Sequence, residues 1–182
     1  MKNINYAIPQ YATEHDFRRI RNKLNMSQND FAKFIGSSKP TIERWEKPGS
    51  KVTGPVVLLL NMIENNLDYI DKLIIPEKKF QKRLIYMMEN IICTIIDVDD
   101  LERRIKIINY TNDVMKRAFG VVSNPTYEDY EEFLKSRCFP ETRDKLKLVL
   151  ENLGLPFYDP YLIIQKTEGR MAEDNFWIKI EE

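Results

Sequence analysis

Residues Ser27 to Trp45 read SQNDFAKFIGSSKPTIERW. Two short helical patterns share this stretch, separated only by a glycine and two serines. Isolated helices this short are marginal, and a chain selected only for a stable core gains more from longer ones. A tight corner between two short helices therefore constrains the fold strongly: it presents one helix outward while the other anchors it.

The corner can be read residue by residue. Ser27 stands where a helix N-cap belongs, and Asp30, three residues on, complements the positive end of the helix dipole. Phe31, Ala32, Phe34 and Ile35 form the inward side of this helix, and the small Ala32 permits close approach of another helix. Gly36 ends it, since glycine tolerates the left-handed conformation that closes a helix. Ser38 caps the next helix. Pro40 lies in its first turn, where a missing N–H costs nothing. Ile42 and Trp45 pin this helix to the core, which leaves Lys39, Pro40, Thr41, Glu43, Arg44 and Lys47 to face outward. Before the corner, Phe17, Ile20 and Leu24 recur at helical spacing over about 14–24. After it, Lys47-Pro48-Gly49-Ser50 stops the helix, and Gly54-Pro55 opens a Leu-rich one running to about Asn66.

Net charge over the 182 residues is zero, with 28 basic and 28 acidic residues, yet the charge is unevenly placed. Residues 1–51 carry ten Lys/Arg against five Asp/Glu, and residues 52–182 carry 18 against 23. The first module is thus net +5 and the remainder net −5. A basic module can rest on a phosphate backbone, from which an acidic one is repelled.

The pattern from Glu14 to Asn66 resembles the helix-turn-helix of the lambda repressor and Cro family, which includes antitoxin-type regulators of bacterial toxin–antitoxin pairs. The residues carrying the resemblance are Ser27-Gln28, Ala32, Gly36, Ser38, Thr41-Ile42 and Trp45-Glu46, followed by the basic loop and Gly54-Pro55. The resemblance implies binding of double-stranded DNA, with the helix beginning at Ser38 in the major groove. Lys39, Pro40 and Arg44 would then occupy base-facing positions. Arg44 and Lys39 suit guanine O6 and N7, and Pro40 or the Thr41 methyl suits a thymine methyl. Pro40 departs from the polar residue usual in the family, so only apolar contact is expected there. Gln28, expected to be exposed, takes the position from which family members bond a phosphate, and Lys47, Ser50 and Lys51 supply further backbone contacts.

Pro76 marks the expected boundary, giving an N-terminal arm over 1–13, a helix-turn-helix domain over 14–75 and a partner or dimerisation domain over 76–182. The expected class is mainly α: a lambda-repressor-like bundle and a mostly helical C-terminal domain ending in a short strand. Phe80, Leu84, Met87, Met88, Ile91, Ile92, Ile95 and Ile96 read as one apolar helix face. Leu101, Ile105, Ile108 and Val114 read as another helix, ending near Gly120. Thr126 with Asp129 opens a helix closed before Pro140. A further helix starts at Glu141 or Thr142 and ends at Leu153-Gly154. Asp159 and Pro160 begin a short one ended by Gly169. Phe176, Ile178 and Ile180 alternate as a strand, for which Ile4, Tyr6 and Ile8, or another chain, could supply a partner. The tail pattern Asp159-Pro160, Lys166-Thr167, Trp177-Ile178 is similar to small proteins beside bacterial kinase-like toxins.

The acidic residues Asp97, Asp99, Asp100, Glu128, Asp129, Glu131 and Glu132 read as helix-start and solvent-facing charges. Lys166 to Arg170 reads as a basic helix end followed by a turn. The single histidine, His15, and the distant Cys93 and Cys138 offer no metal-site spacing, and no phosphate-cradling loop or nucleophile elbow is present. No catalytic residue, cofactor or metal is expected. Two unpaired-looking cysteines, no long apolar run and no secretory leader point to a reduced, cytoplasmic setting without membrane insertion. The expected function is a DNA-binding transcriptional regulator, read as a repressor and a homodimer. The alternatives are an antitoxin that neutralises a toxin partner through its C-terminal domain while repressing its own operon, and an interaction module that does not bind DNA.

Overall fold

A computed structural model describes residues 6–181. The chain divides into two compact units, the first up to Ile74 and the second from Ile75.

The first unit follows the order β1 (Ala12–Thr13), α1 (Glu14–Lys23), α2 (Gln28–Phe34), α3 (Lys39–Trp45), β2 (Lys51–Val52), α4 (Pro55–Asn65) and α5 (Leu67–Asp71). Phe17 and Ile20 of α1, Phe31 and Ala32 of α2, Ile42 of α3 and Val57, Leu60 and Ile63 of α4 form its core. Trp45 lies against Phe17 with ring centroids 5.0 Å apart, so it packs as a core residue. β1 and β2 pair antiparallel, Ala12 opposite Val52 and Thr13 opposite Lys51. This clips the segment before α1 to the loop after α3.

The second unit corrects the helical reading of residues 80–109. Those residues form β3 (Lys82–Met88), β4 (Ile91–Asp99) and β5 (Arg104–Asn109), an antiparallel meander. The final strand, β6 (Phe176–Glu181), pairs with β3, so the sheet order is β5-β4-β3-β6. Tyr6 and Ile8 take no part in it, and Ile4 lies outside the described residues. The physical reason is visible in the residue types. Ile91, Ile92, Thr94, Ile95, Ile96 and Val98 are β-branched and favour a pleated surface. Glu89 and Asn90 form the two-residue turn between β3 and β4, with Glu89 in the left-handed region at φ +54°. Leu101, expected on a buried helix face, sits at the tip of the β4–β5 loop and is 84% exposed.

Three helices cover one face of this sheet: α6 (Tyr127–Ser136), α7 (Leu146–Leu153) and α8 (Pro160–Thr167). Leu84, Tyr86, Ile96, Val98 and Ile178 from the strands meet Tyr130, Phe133, Leu150, Ile163 and Ile164 from the helices. α6 begins with a capping box, Thr126 accepting from the Asp129 N–H and Asp129 from the Thr126 N–H. α7 begins at Leu146, later than Glu141 or Thr142, because Lys145 lies in the left-handed region. Asp159 caps α8 through the Leu162 N–H at 2.9 Å.

The opposite face carries a buried ion pair. Arg83 and Asp97 are cross-strand partners, joined by two hydrogen bonds of 2.6 and 2.8 Å. Arg83 also donates to the carbonyls of Pro76 and Glu77, and Asp97 accepts from the Lys79 N–H. Burial alone pushes the Asp97 carboxyl up, but hydrogen bonds from Arg83 and Lys79 hold it below the ordinary range. The expectation that Asp97 begins a helix and faces solvent is therefore overturned. A second buried guanidinium, Arg137, binds Asp174 bidentately at 2.6 and 3.0 Å and donates to the Gly169 and Phe176 carbonyls. It ties the end of α6 to the turn that launches β6.

Candidate nucleic-acid interface

The corner takes the geometry its residues dictate. Ser27 accepts from the Asp30 N–H at 3.2 Å, and Ser38 accepts from the Thr41 N–H at 3.3 Å. Gly36 has φ +66°, and a Cβ there would meet nothing within 4 Å. Backbone conformation, not crowding, demands glycine at that position. The Ser37 N–H reaches back 2.7 Å to the Ala32 carbonyl and closes α2 before α3 begins.

On α3, Ile42 is fully buried while Lys39, Pro40 and Arg44 are exposed. Lys39 is loosely paired with Glu43 at 3.5 Å, an exposed contact of little energy. No hydrogen bond or ion pair holds the Arg44 side chain among the described residues, so its five donors are available. Thr41 is half-buried and its hydroxyl lies 2.8 Å from Ser38 Oγ, within the cap. Lys47 is exposed in the loop after α3. Ser50 is half-buried, its hydroxyl within hydrogen-bonding reach of the Trp45 and Lys47 carbonyls, and it shapes that loop. Lys51 on β2 is exposed, and its ammonium lies 4.8 Å from the centre of the Tyr11 ring.

Gln28 differs from the expected exposed side chain. It is half-buried, and its amide donates to Glu46 Oε2 at 2.8 Å. Glu46, the C-cap of α3, is only 4% exposed. Arg21 from α1 grips it with bonds of 2.7 and 3.1 Å, and Arg18 donates to its backbone carbonyl at 2.6 Å. Burial pushes the Glu46 carboxyl up, but the hydrogen bonds from Arg21 and Gln28 outweigh it and hold the carboxyl below its ordinary range. One carboxylate thus locks α1, the start of α2 and the end of α3 together. Sequence reasoning missed this lock. The available signal was an acid directly after the core-facing Trp45 in a module rich in arginine.

Residues 17–61 match a helix-turn-helix family model. The matched stretch of the first unit is thus similar to a helix-turn-helix domain. The match falls within the stretch whose residues resemble the lambda repressor and Cro family. No curated protein and no solved structure matches the chain. Among the described residues, no cluster of three or more His, Cys, Asp or Glu side chains could hold a metal, and no helix is long and apolar enough to cross a membrane.

Proposed function

We propose that this protein is a sequence-specific transcriptional repressor that places α3 in the major groove of operator DNA. The observation that carries the reading is the exposed, uncommitted Arg44 on a helix fixed from behind by Ile42 and Glu46. A preorganised helix loses little entropy on docking. Lys39 and Arg44 read base edges, and Pro40 offers an apolar contact beside the Thr41 methyl. Lys47 and Lys51 neutralise phosphates on either side of the Ser50 turn, and Gln28 contributes at the flank only by loosening its bond to Glu46.

The protein acts as a homodimer in this reading, with two copies of α3 in successive grooves ~34 Å apart. Leu58 and Met62 on α4, one turn apart and 43% and 56% exposed, favour self-association of the first unit. The site of action is the cytoplasm. The antitoxin alternative places a toxin on the second unit, where the outer edge of β6 pairs with no other strand among the described residues.

Selection of genomic fragments by the purified protein at two salt concentrations tests the proposal. The expected result is enrichment of a palindromic site whose binding weakens with salt. Absence of enrichment at either salt refutes DNA recognition and turns the helix-turn-helix into a protein-docking device.

A further inference from the structure

In the second unit, α6, the first turn of α8 and the β4–β5 loop enclose a cleft of about 440 Å³. Its walls carry three tyrosines, Tyr127, Tyr130 and Tyr161, and three carboxylates, Asp100, Glu131 and Asp159. Nothing in the helix-turn-helix function uses them.

Two of the carboxylates are already matched. Asp100 pairs with Lys82 and accepts from the Tyr127 hydroxyl at 2.9 Å, and Glu131 pairs with Arg103 at 3.3 Å. The aromatic faces also hold cations: Lys82 lies 4.0 Å from the Tyr161 ring centre and Arg103 4.4 Å from that of Tyr127. Asp159 is different. One of its oxygens caps α8, and no cation pairs with it among the described residues.

Tyr130 is the second, independent observation. The residue is only 2% exposed, yet among the described residues no group hydrogen-bonds its hydroxyl. Among the described residues no wholly enclosed side-chain polar atom lacks a partner, so this hydroxyl keeps a sliver of access, and Tyr130 is one of the residues lining the cleft. The charges acting on it are those of Asp100 and Asp159 and the neighbouring phenols. With no protein group on it, the Tyr130 oxygen is left to bond whatever enters the cleft beside the Asp159 carboxylate.

We propose that this cleft binds a small organic cation, an amine or guanidine, with Asp159 taking the charge and the Tyr130 oxygen accepting an N–H. The faces of Tyr161 and Tyr127 are already taken by Lys82 and Arg103, so recognition rests on Asp159 and the Tyr130 oxygen. Two lysines line the cleft and oppose such a ligand: Lys82 is already neutralised by Asp100, while Lys135 has no ion-pair partner among the described residues. The second unit then senses a metabolite, and the binding itself stands whether or not the first unit reads DNA.

The test is titration of the full-length protein with agmatine and with arginine, followed by backbone amide shifts, using citrulline as the neutral isostere of arginine. Saturable shifts in α6 and the first turn of α8 are expected with both cations and not with citrulline. Tyr130→Phe keeps the ring and removes the oxygen, and Asp159→Asn keeps a competent helix cap. Each is expected to weaken binding about tenfold or more, while Lys135→Met strengthens it. No saturable binding, equal binding of citrulline, or unchanged affinity in both Tyr130→Phe and Asp159→Asn overturns the proposal. Weaker binding in Lys135→Met overturns it as well, since that result describes an anion site.

Discussion

Replacing Glu46 by alanine tests the idea that one buried carboxylate organises the helix-turn-helix corner. Its side chain accepts three hydrogen bonds, two from Arg21 and one from Gln28. Bonds to a charged group contribute roughly 1.5–3 kcal/mol each in isolation, but these share one carboxylate and do not add. Breaking a buried pair by removing one partner costs about 3–5 kcal/mol. Arg21 remains 18% exposed and can recover some hydration, so the expected loss lies near the lower end, about 3 kcal/mol. Amide hydrogen exchange resolved over α1 to α4 reads this loss locally and separates it from the second unit. Specific DNA affinity is expected to fall with it, because α3 loses its tether at the C-cap. The pH dependence gives a further check. The folded Glu46 carboxyl titrates below its ordinary value of 4.5. Its contribution is therefore complete above about pH 4.5 and disappears as the pH falls through the lowered folded value. Glu46→Gln should flatten that acid dependence while costing less than Glu46→Ala. A loss under about 0.5 kcal/mol in Glu46→Ala, the range of an ordinary surface change, refutes the lock.

Arg44→Ala should weaken binding to the selected operator by roughly 1–3 kcal/mol and relax preference at one base pair; fragment selection with the variant shows whether the preference survives. Lys51→Ala should weaken binding to all sequences alike and lower the slope of log affinity against log salt by about 1, as measured by fluorescence anisotropy on specific and random duplexes. Arg83→Met should destabilise the second unit by about 3–5 kcal/mol, and Arg83→Met with Asp97→Leu should restore most of it, since two apolar groups leave no buried charge unpaired; urea melts of both variants decide this.

The helix-turn-helix was legible because its signals are local. Ser27, Gly36 and Ser38 each act within a few residues, and the caps in the structure are the ones their side chains can make. Exposure of Lys39, Pro40 and Arg44 follows from burial of Ile42 on the same short helix. Gln28 was misjudged because its partner, Glu46, lies 18 residues away, beyond any periodic pattern. The sheet was misread for a related reason. Ile85 and Ile95 are buried on the face away from the helices, while Leu84 and Ile96 are buried on the helical face. With both faces apolar, the alternation that marks a strand vanishes and the run looks like a helix. The β-branched content and the Glu89-Asn90 turn carried the correct answer. The cap of α8 and the strand character of 176–181 were readable for the same reason as the helix-turn-helix corner.

The pairing of β3 with β6 has a consequence for the order in which the protein becomes itself. The first unit is complete once the chain has passed Ile74, its strand pairing joining Ala12 to Val52. In the second unit, Arg83 must meet Glu181 and Met88 must meet Phe176. A ribosome reads the chain at about 5–20 residues per second, so the first unit can be native for several seconds before β6 emerges. During that interval β3 presents an open edge. A nascent chain paused there has a finished helix-turn-helix and an unfinished second unit, and a cut between β5 and β6 would release such a species.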